Sequence, residues 1–110
     1  MNKNDPDGRL ARIKDKLRAF VSARDWAQYH SPKNLVMALT GEVGELSEKF
    51  QWLTESQAES LTQQQFEGVR DEVADVQIYL LLLADRLDID LLDAVDRKIA
   101  KNEIKYPSAE

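Results

Sequence analysis

The chain has no cysteine and a single histidine, His30. Disulfides, zinc–thiolate centres and thiol nucleophiles are therefore excluded. A di-iron helical bundle draws on two Glu-x-x-His motifs, and this chain cannot build even one. Glycine and proline number only four and three, and no segment alternates polar and apolar residues as a half-buried strand does. Basic residues are outnumbered, 15 Lys and Arg against 20 Asp and Glu for a net charge of −5. That balance argues against a binder of nucleic-acid polymers. Long apolar runs are missing as well. The longest, Ile78 to Ala84, is far too short to span a bilayer, and Met1 to Gly8 lacks the apolar core of a signal peptide. No membrane partner is expected, and the default location is the cytoplasm.

What is present is a helical pattern. At 110 residues the chain reads as one domain, residues 1–110, with residues 1–6 flexible. The expected fold is an all-α bundle of four helices. Leu10, Ile13, Leu17, Phe20 and Val21 recur at helical spacing and define a first helix from about Asp7 to Arg24. Ser31-Pro32 is a start signal, an N-cap serine before a proline at the first helical position. The second helix runs from there to about Trp52, with Leu35, Leu39, Val43, Leu46 and Phe50 as its apolar stripe. Thr54 to Leu61 is polar and aperiodic and reads as a loop. Thr62 and Gln65 form a capping-box pattern opening the third helix. Its stripe is Val69, Val73, Val76, Leu80, Leu83 and Leu87. Asp90 with Asp93 opens the fourth, which ends near Tyr106-Pro107. The third helix is apolar almost all round at residues 78–84. A domain this small buries only about two-thirds of its unfolded surface, so this helix is expected to pack against a second copy, giving a homodimer or homotetramer.

Two matched pairs of acids carry the chemistry. Glu42-Val43-Gly44-Glu45 and Glu72-Val73-Ala74-Asp75 both have i, i+3 spacing, which puts each pair on one side of its helix about a turn apart. On both helices the acids sit beside the apolar stripe. Four carboxylates converging at a helix seam repel one another unless a cation lies between them. Oxygen ligands without cysteine, and with one histidine, favour a hard divalent ion, Mg²⁺ above all, with Mn²⁺ as a substitute. The competing reading is a set of solvated surface acids, common in a chain that is 32% charged.

Further candidates surround this quartet. His30 lies just before Ser31-Pro32 and is either a turn residue or a site residue. Trp26, Trp52 and Tyr79 offer aromatic faces that stack on a base or pack in a core or interface. Lys98, Asn102 and Lys105 share a face at i, i+4 and i, i+3 spacing. There they complement a helix dipole or clamp phosphate oxygens. Arg9, Arg12, Lys14, Lys16 and Arg18 read as the solvated face of the first helix.

Taken together, these residues resemble the MazG-like all-α nucleoside triphosphate pyrophosphohydrolases, most closely the dCTP pyrophosphatase branch. The resemblance covers about Arg24 to Pro107. It is carried by Arg-Asp-Trp-Ala-Gln-Tyr-His-Ser-Pro-Lys-Asn-Leu at 24–35, Gly-Glu-Val-Gly-Glu-Leu-Ser-Glu-Lys-Phe-Gln-Trp at 41–52, and Asp-Glu-Val-Ala-Asp-Val-Gln-Ile-Tyr-Leu at 71–80. A closing Lys98-x-x-x-Asn102…Tyr106-Pro107 pattern completes it. The resemblance implies a MazG-like bundle and Mg²⁺ held by Glu42, Glu45, Glu72 and Asp75. It implies that Trp26, His30, Asn34, Trp52 and Tyr79 border a nucleotide pocket and that Lys98 and Asn102 reach phosphates; Lys105 joins them by spacing. It implies hydrolysis of a (deoxy)nucleoside triphosphate, dCTP-like, between the α- and β-phosphates, with Glu45 or Glu42 as general base. It also implies a homo-oligomer whose sites take residues from more than one subunit. The chain departs from the broader family at Gly41, where a second adjacent glutamate is common, and at Leu17, where some relatives carry histidine. Alternatives are the same chemistry on dUTP or a modified nucleotide, or a non-catalytic oligomeric helical protein whose acids pair with lysines.

Overall fold

Every regular element among the described residues, 2–109, of the computed structural model is helical. The order is α1 (Arg9–Ala23), a 3₁₀ turn (Ala27–Tyr29), α2 (Pro32–Glu48), α3 (Glu55–Glu59), α4 (Gln63–Arg86) and α5 (Leu91–Lys105). The all-α expectation holds, but the expected four helices are five. The stretch 54–61, read from its sequence as a loop, contains α3. Thr54 and Gln57 close a reciprocal capping box there, at 3.1 and 2.9 Å, and local capping of this kind needs no apolar stripe. The second helix also stops short of Trp52. Its last turn tightens as Lys49 and Phe50 donate to carbonyls only three residues back, at 3.1 and 3.0 Å.

The expected start signals are all used. Ser31 Oγ accepts from the Asn34 amide at 3.2 Å, Thr62 and Gln65 form their box at 3.1 and 2.9 Å, and Asp90 Oδ1 accepts from the Asp93 amide at 3.2 Å. Ahead of α1, Asp5 accepts from the amides of Leu10 and Ala11 at 3.2 and 3.1 Å. Asn2 donates to Asp90 at 2.9 Å. These three hydrogen bonds involve the segment expected to be flexible, of which Met1 lies outside the described residues.

α1 and α4 end alike. Asp25 and Asp88 take left-handed backbone, both at φ 55°, where glycine is usual. In each case the next amide reaches back over the last turn, Trp26 to Val21 at 3.0 Å and Ile89 to Ala84 at 2.8 Å. For an aspartate this conformation costs about 1 kcal/mol, and it turns the chain sharply at both points.

α2 and α4 form the principal helix pair, and α1 leans on α4. The only buried apolar residues among those described are Val21, Leu35, Leu81 and Ala84, and of these Leu35 is the most completely enclosed. Part of the expected stripe of α4 lies outside that small core. Val73, Leu80 and Leu87, spaced by sevens along it, are exposed, as is Val43 on α2. Periodicity reports which positions are apolar; it does not report which face a neighbour covers. On a helix apolar on nearly every side, the protomer covers the face holding Leu81 and Ala84 and leaves the other open. α5 buries none of its residues and exposes Val95 and Ile99.

Candidate active site

The α2–α4 seam brings acids from both matched pairs together. One carboxylate oxygen each from Glu42, Glu45 and Glu72 falls within 4.8 Å of the others. Glu42 and Glu72 are half-buried, and Glu45 is exposed. The Oε2 atoms of Glu42 and Glu72 are buried with no hydrogen-bond partner. Among the described residues, the ion pairs run to Asp15, Asp71, Asp85 and Asp93 and never to these glutamates or Asp75. The acids are therefore not neutralised by lysines or arginines. Buried carboxylate oxygens without partners are costly, and a crowded set of hard oxygen donors is what a divalent cation requires. The residues fit such an ion.

Without an ion, protons must relieve the crowding. Burial pushes the Glu42 carboxyl up to about 7, helped by its hydrogen bonds to Glu72 and Glu45 and by their charges. Burial raises Glu72 too, as do Glu45 and the charge of Asp75, while its contact with Glu42 pulls the other way. The consequence for stability has a definite sign. An acid whose folded pKa exceeds its unfolded value binds more protons when folded. The metal-free protein should therefore lose stability as pH rises from near 4.5 to about 7, with no further loss from this source above. Thermal melts in chelator across pH 4.5–8 check this, and Glu42→Gln should flatten that part of the profile.

Asp75, the fourth acid, lies one turn beyond Glu72, outside the 4.8 Å cluster but lining the cleft beside it. This cleft has a volume of about 380 Å³. It is lined by Glu42, Asp75 and Tyr79 from α2 and α4, by Lys16, Leu17 and Phe20 from α1, and by Trp26 and His30 from the turn after α1. Trp26 meets Phe20 edge-on, ring centroids 5.6 Å apart at 73°. Arg24 caps Phe20 with its guanidinium 3.5 Å from the ring centre, a favourable cation–π contact. Asn34 does not line the cleft. Its side-chain amide donates to the Tyr29 carbonyl at 3.0 Å and braces the turn that carries Trp26 and His30.

The remaining candidates stand apart. Trp52 is 86% exposed and lines no cavity near the acids. Lys98, Asn102 and Lys105 lie on α5 and do not line the cleft; Lys105 instead sits 5.2 Å from the Tyr106 ring centre. Conversely, Lys16 and Phe20 line the cleft although sequence reasoning placed Lys16 on a solvated face. Lys16 and Arg18 are exposed, as that reading has it, and three of the basic residues also engage the rest of the fold. Lys16 reaches the cleft, and Lys14 and Arg18 pair with Asp85 of α4. Long aliphatic stems let cations fold back over a helix seam. A hint was available, since these three share α1 with the apolar residues that must face α4.

The class of protein is thus an all-helical one with a carboxylate cluster at a two-helix seam, reaching an aromatic-lined cleft through Glu42. Residues 38–110 match the model of the MazG-like family, and the chain belongs to that family. It is 41% identical over 104 residues to dCTP pyrophosphatase 1 of Mus musculus, covering 93% of this chain and 61% of the mouse protein. With the Homo sapiens protein of the same name it is 40% identical over 105 residues, covering 94% and 62% respectively. The chain thus spans about three-fifths of the length of these curated relatives. The crystal structure of a pyrophosphatase from Archaeoglobus fulgidus DSM 4304 superposes with a TM-score of 0.84 at 42% identity, covering 89% of this chain and 92% of that one.

Proposed function

We propose that the chain is a Mg²⁺-dependent nucleoside triphosphate pyrophosphohydrolase that cleaves a dCTP-like deoxynucleoside triphosphate to the monophosphate and pyrophosphate. The observation that carries this reading is the trio of glutamates without cationic partners, of which Glu42 lines a cleft walled by Trp26, Phe20, His30 and Tyr79. The names of the mouse and human relatives, and that of the archaeal neighbour, support the same chemistry. Glu42, Glu45, Glu72 and Asp75 would hold Mg²⁺, with Mn²⁺ as a substitute. The bound ion would offset the triphosphate's charge as it grows in the transition state.

The division of labour within the quartet follows exposure. Glu42 and Glu72, with their buried orphan oxygens, serve as ligands. Glu45, the exposed member, accepts the proton of the water that attacks the α-phosphorus. Trp26 and Phe20 flank the base, Tyr79 orients the sugar–phosphate end, and Asn34 acts through the turn that it braces. In this reading the chain works as a homo-oligomer in the cytoplasm, with no helix among the described residues long and apolar enough to cross a membrane. The uncovered faces of α4 and α5 pack on a second copy. Trp52, Lys98, Asn102 and Lys105 then complete the cleft of the neighbouring subunit and not that of their own.

The test is a panel of canonical and modified deoxynucleoside triphosphates incubated with the protein and Mg²⁺. Pyrophosphate and the monophosphate should appear in equal amounts, fastest with a dCTP-like substrate. Orthophosphate with a diphosphate, or no turnover across the panel, would overturn the reading.

A further inference from the structure

One whole wall of the cleft hangs on α1 and the turn that it leads into: Lys16, Leu17, Phe20, Trp26 and His30. Yet α1 is weakly held. It buries only Val21 and packs on α4 far less extensively than α2 does. A second cavity, of about 320 Å³, adjoins the first along Val21, His30 and Leu82, so packing beside α1 is loose here too. Apolar packing alone leaves α1 poorly registered against α4.

The polar tie is Asp85 of α4. Its carboxylate accepts from Nε of Arg18 at 2.9 Å and from Nη2 of the same guanidinium, and Lys14 Nζ stands 3.8 Å away. Most exposed ion pairs contribute little, because solvent screens them and two long side chains must be ordered. This pair differs in three respects. The guanidinium binds fork-to-fork, which fixes direction as well as distance; the Asp85 side chain is only 25% exposed; and a second cation stands behind the first. Arg18 holds the Asp85 carboxyl below the usual carboxylate range against the opposing effect of burial. Arg18 and Asp85 line the second, adjoining cavity and not the cleft that holds Glu42 and Asp75.

We propose that Asp85, gripping Arg18 and Lys14, is a positioning residue that sets the register of α1 and thereby the affinity of the cleft for its nucleotide, without entering the chemistry. The proposal rests on the cleft being the nucleotide site. It separates binding from turnover: the acids on α2 and α4 are built independently of α1, whereas the wall against the base is not. Loss of the tie therefore acts on KM and spares kcat.

The experiment is a double-mutant cycle of Asp85→Asn and Arg18→Gln, with KM and kcat measured by pyrophosphate release. Each single variant should raise KM about fivefold with kcat within about twofold of the parent, and the double variant should be no worse than either alone. Asp85→Glu, which keeps the charge, should recover much of the loss. An unchanged KM in both single variants, a fall in kcat alone, or multiplicative effects in the double variant would overturn it. Amide hydrogen exchange gives a readout independent of activity. Residues 13–21 should exchange faster in Asp85→Asn, while α2 and the first half of α4 keep their protection. If the parent protein turns over no triphosphate, the functional reading fails by itself. Unchanged exchange in α1 then separately refutes the tie.

Discussion

Replacing Glu42 with glutamine should cut Mg²⁺-dependent pyrophosphate release by about a thousandfold while raising the thermal midpoint of the metal-free protein by about 5 °C. The two effects share one cause. Glu42 sits half-buried against two other carboxylates, with an oxygen that finds no donor, and its carboxyl is pushed up to about 7. In the empty site its charge opposes folding. An amide of the same shape removes that charge and offers an N–H to Glu72, much as the protonated acid does. With a cation present the balance reverses, because the carboxylate charge is what binds the ion. Glu45→Gln should also inactivate, but with a smaller gain in stability because Glu45 is exposed. Calorimetric titration of Mg²⁺, melts in chelator and a turnover assay on the same preparations check all of this. Near wild-type turnover in Glu42→Gln, or a lowered midpoint without metal, would sink the metal-site assignment.

The acid cluster was legible because its signal is local twice over. An i, i+3 pair fixes two carboxylates on one helix face, and the apolar stripe beside each pair points both faces at the same seam. Only the docking of α2 on α4 had to be supplied by the fold. Helix starts were legible for the same reason, since Ser31, Thr62 and Asp90 each cap an amide three residues on. α3 escaped notice although Thr54 and Gln57 carry the same signature as Thr62 and Gln65. Five residues leave no room for an apolar period, and periodicity was the stronger guide.

What sequence patterns concealed were relations between elements. α1 brings Lys16 and Phe20 to the cleft and Arg18 to Asp85, but nothing in its own periodicity says which helix it will lean on. The sharp turns that follow α1 and α4 depend on aspartates in left-handed backbone at 25 and 88, where the usual glycine marker is absent. The stripe Val73, Leu80, Leu87 is the clearest case. Its regularity marks the row as apolar without saying which chain covers it, and in the protomer these side chains are exposed. A heptad row left open by its own fold is a row available to another chain.

That reading has a sharp consequence for mixtures of defective proteins. Glu42→Gln and Lys98→Ala should each be nearly inactive alone, yet mixing them after unfolding and joint refolding should restore about a quarter of the parent activity. The reasoning is combinatorial. Glu42 stands in the cleft of its own subunit, while Lys98 lies on α5, which buries none of its residues and brings none of them to that cleft. If Lys98 serves the neighbouring subunit, a mixed dimer holds one site in which both residues are intact and one in which both are replaced. Random assembly makes about half of all dimers mixed, and half of their sites work. If Lys98 instead folds back onto its own cleft, every site in every dimer lacks one residue or the other, and mixing restores nothing. Ile99→Glu, which places a charge on the exposed apolar face of α5, provides the control. It should yield monomers by sedimentation and cancel the recovery when carried on both partners. Absence of any recovery on mixing would show that the subunits do not share their sites.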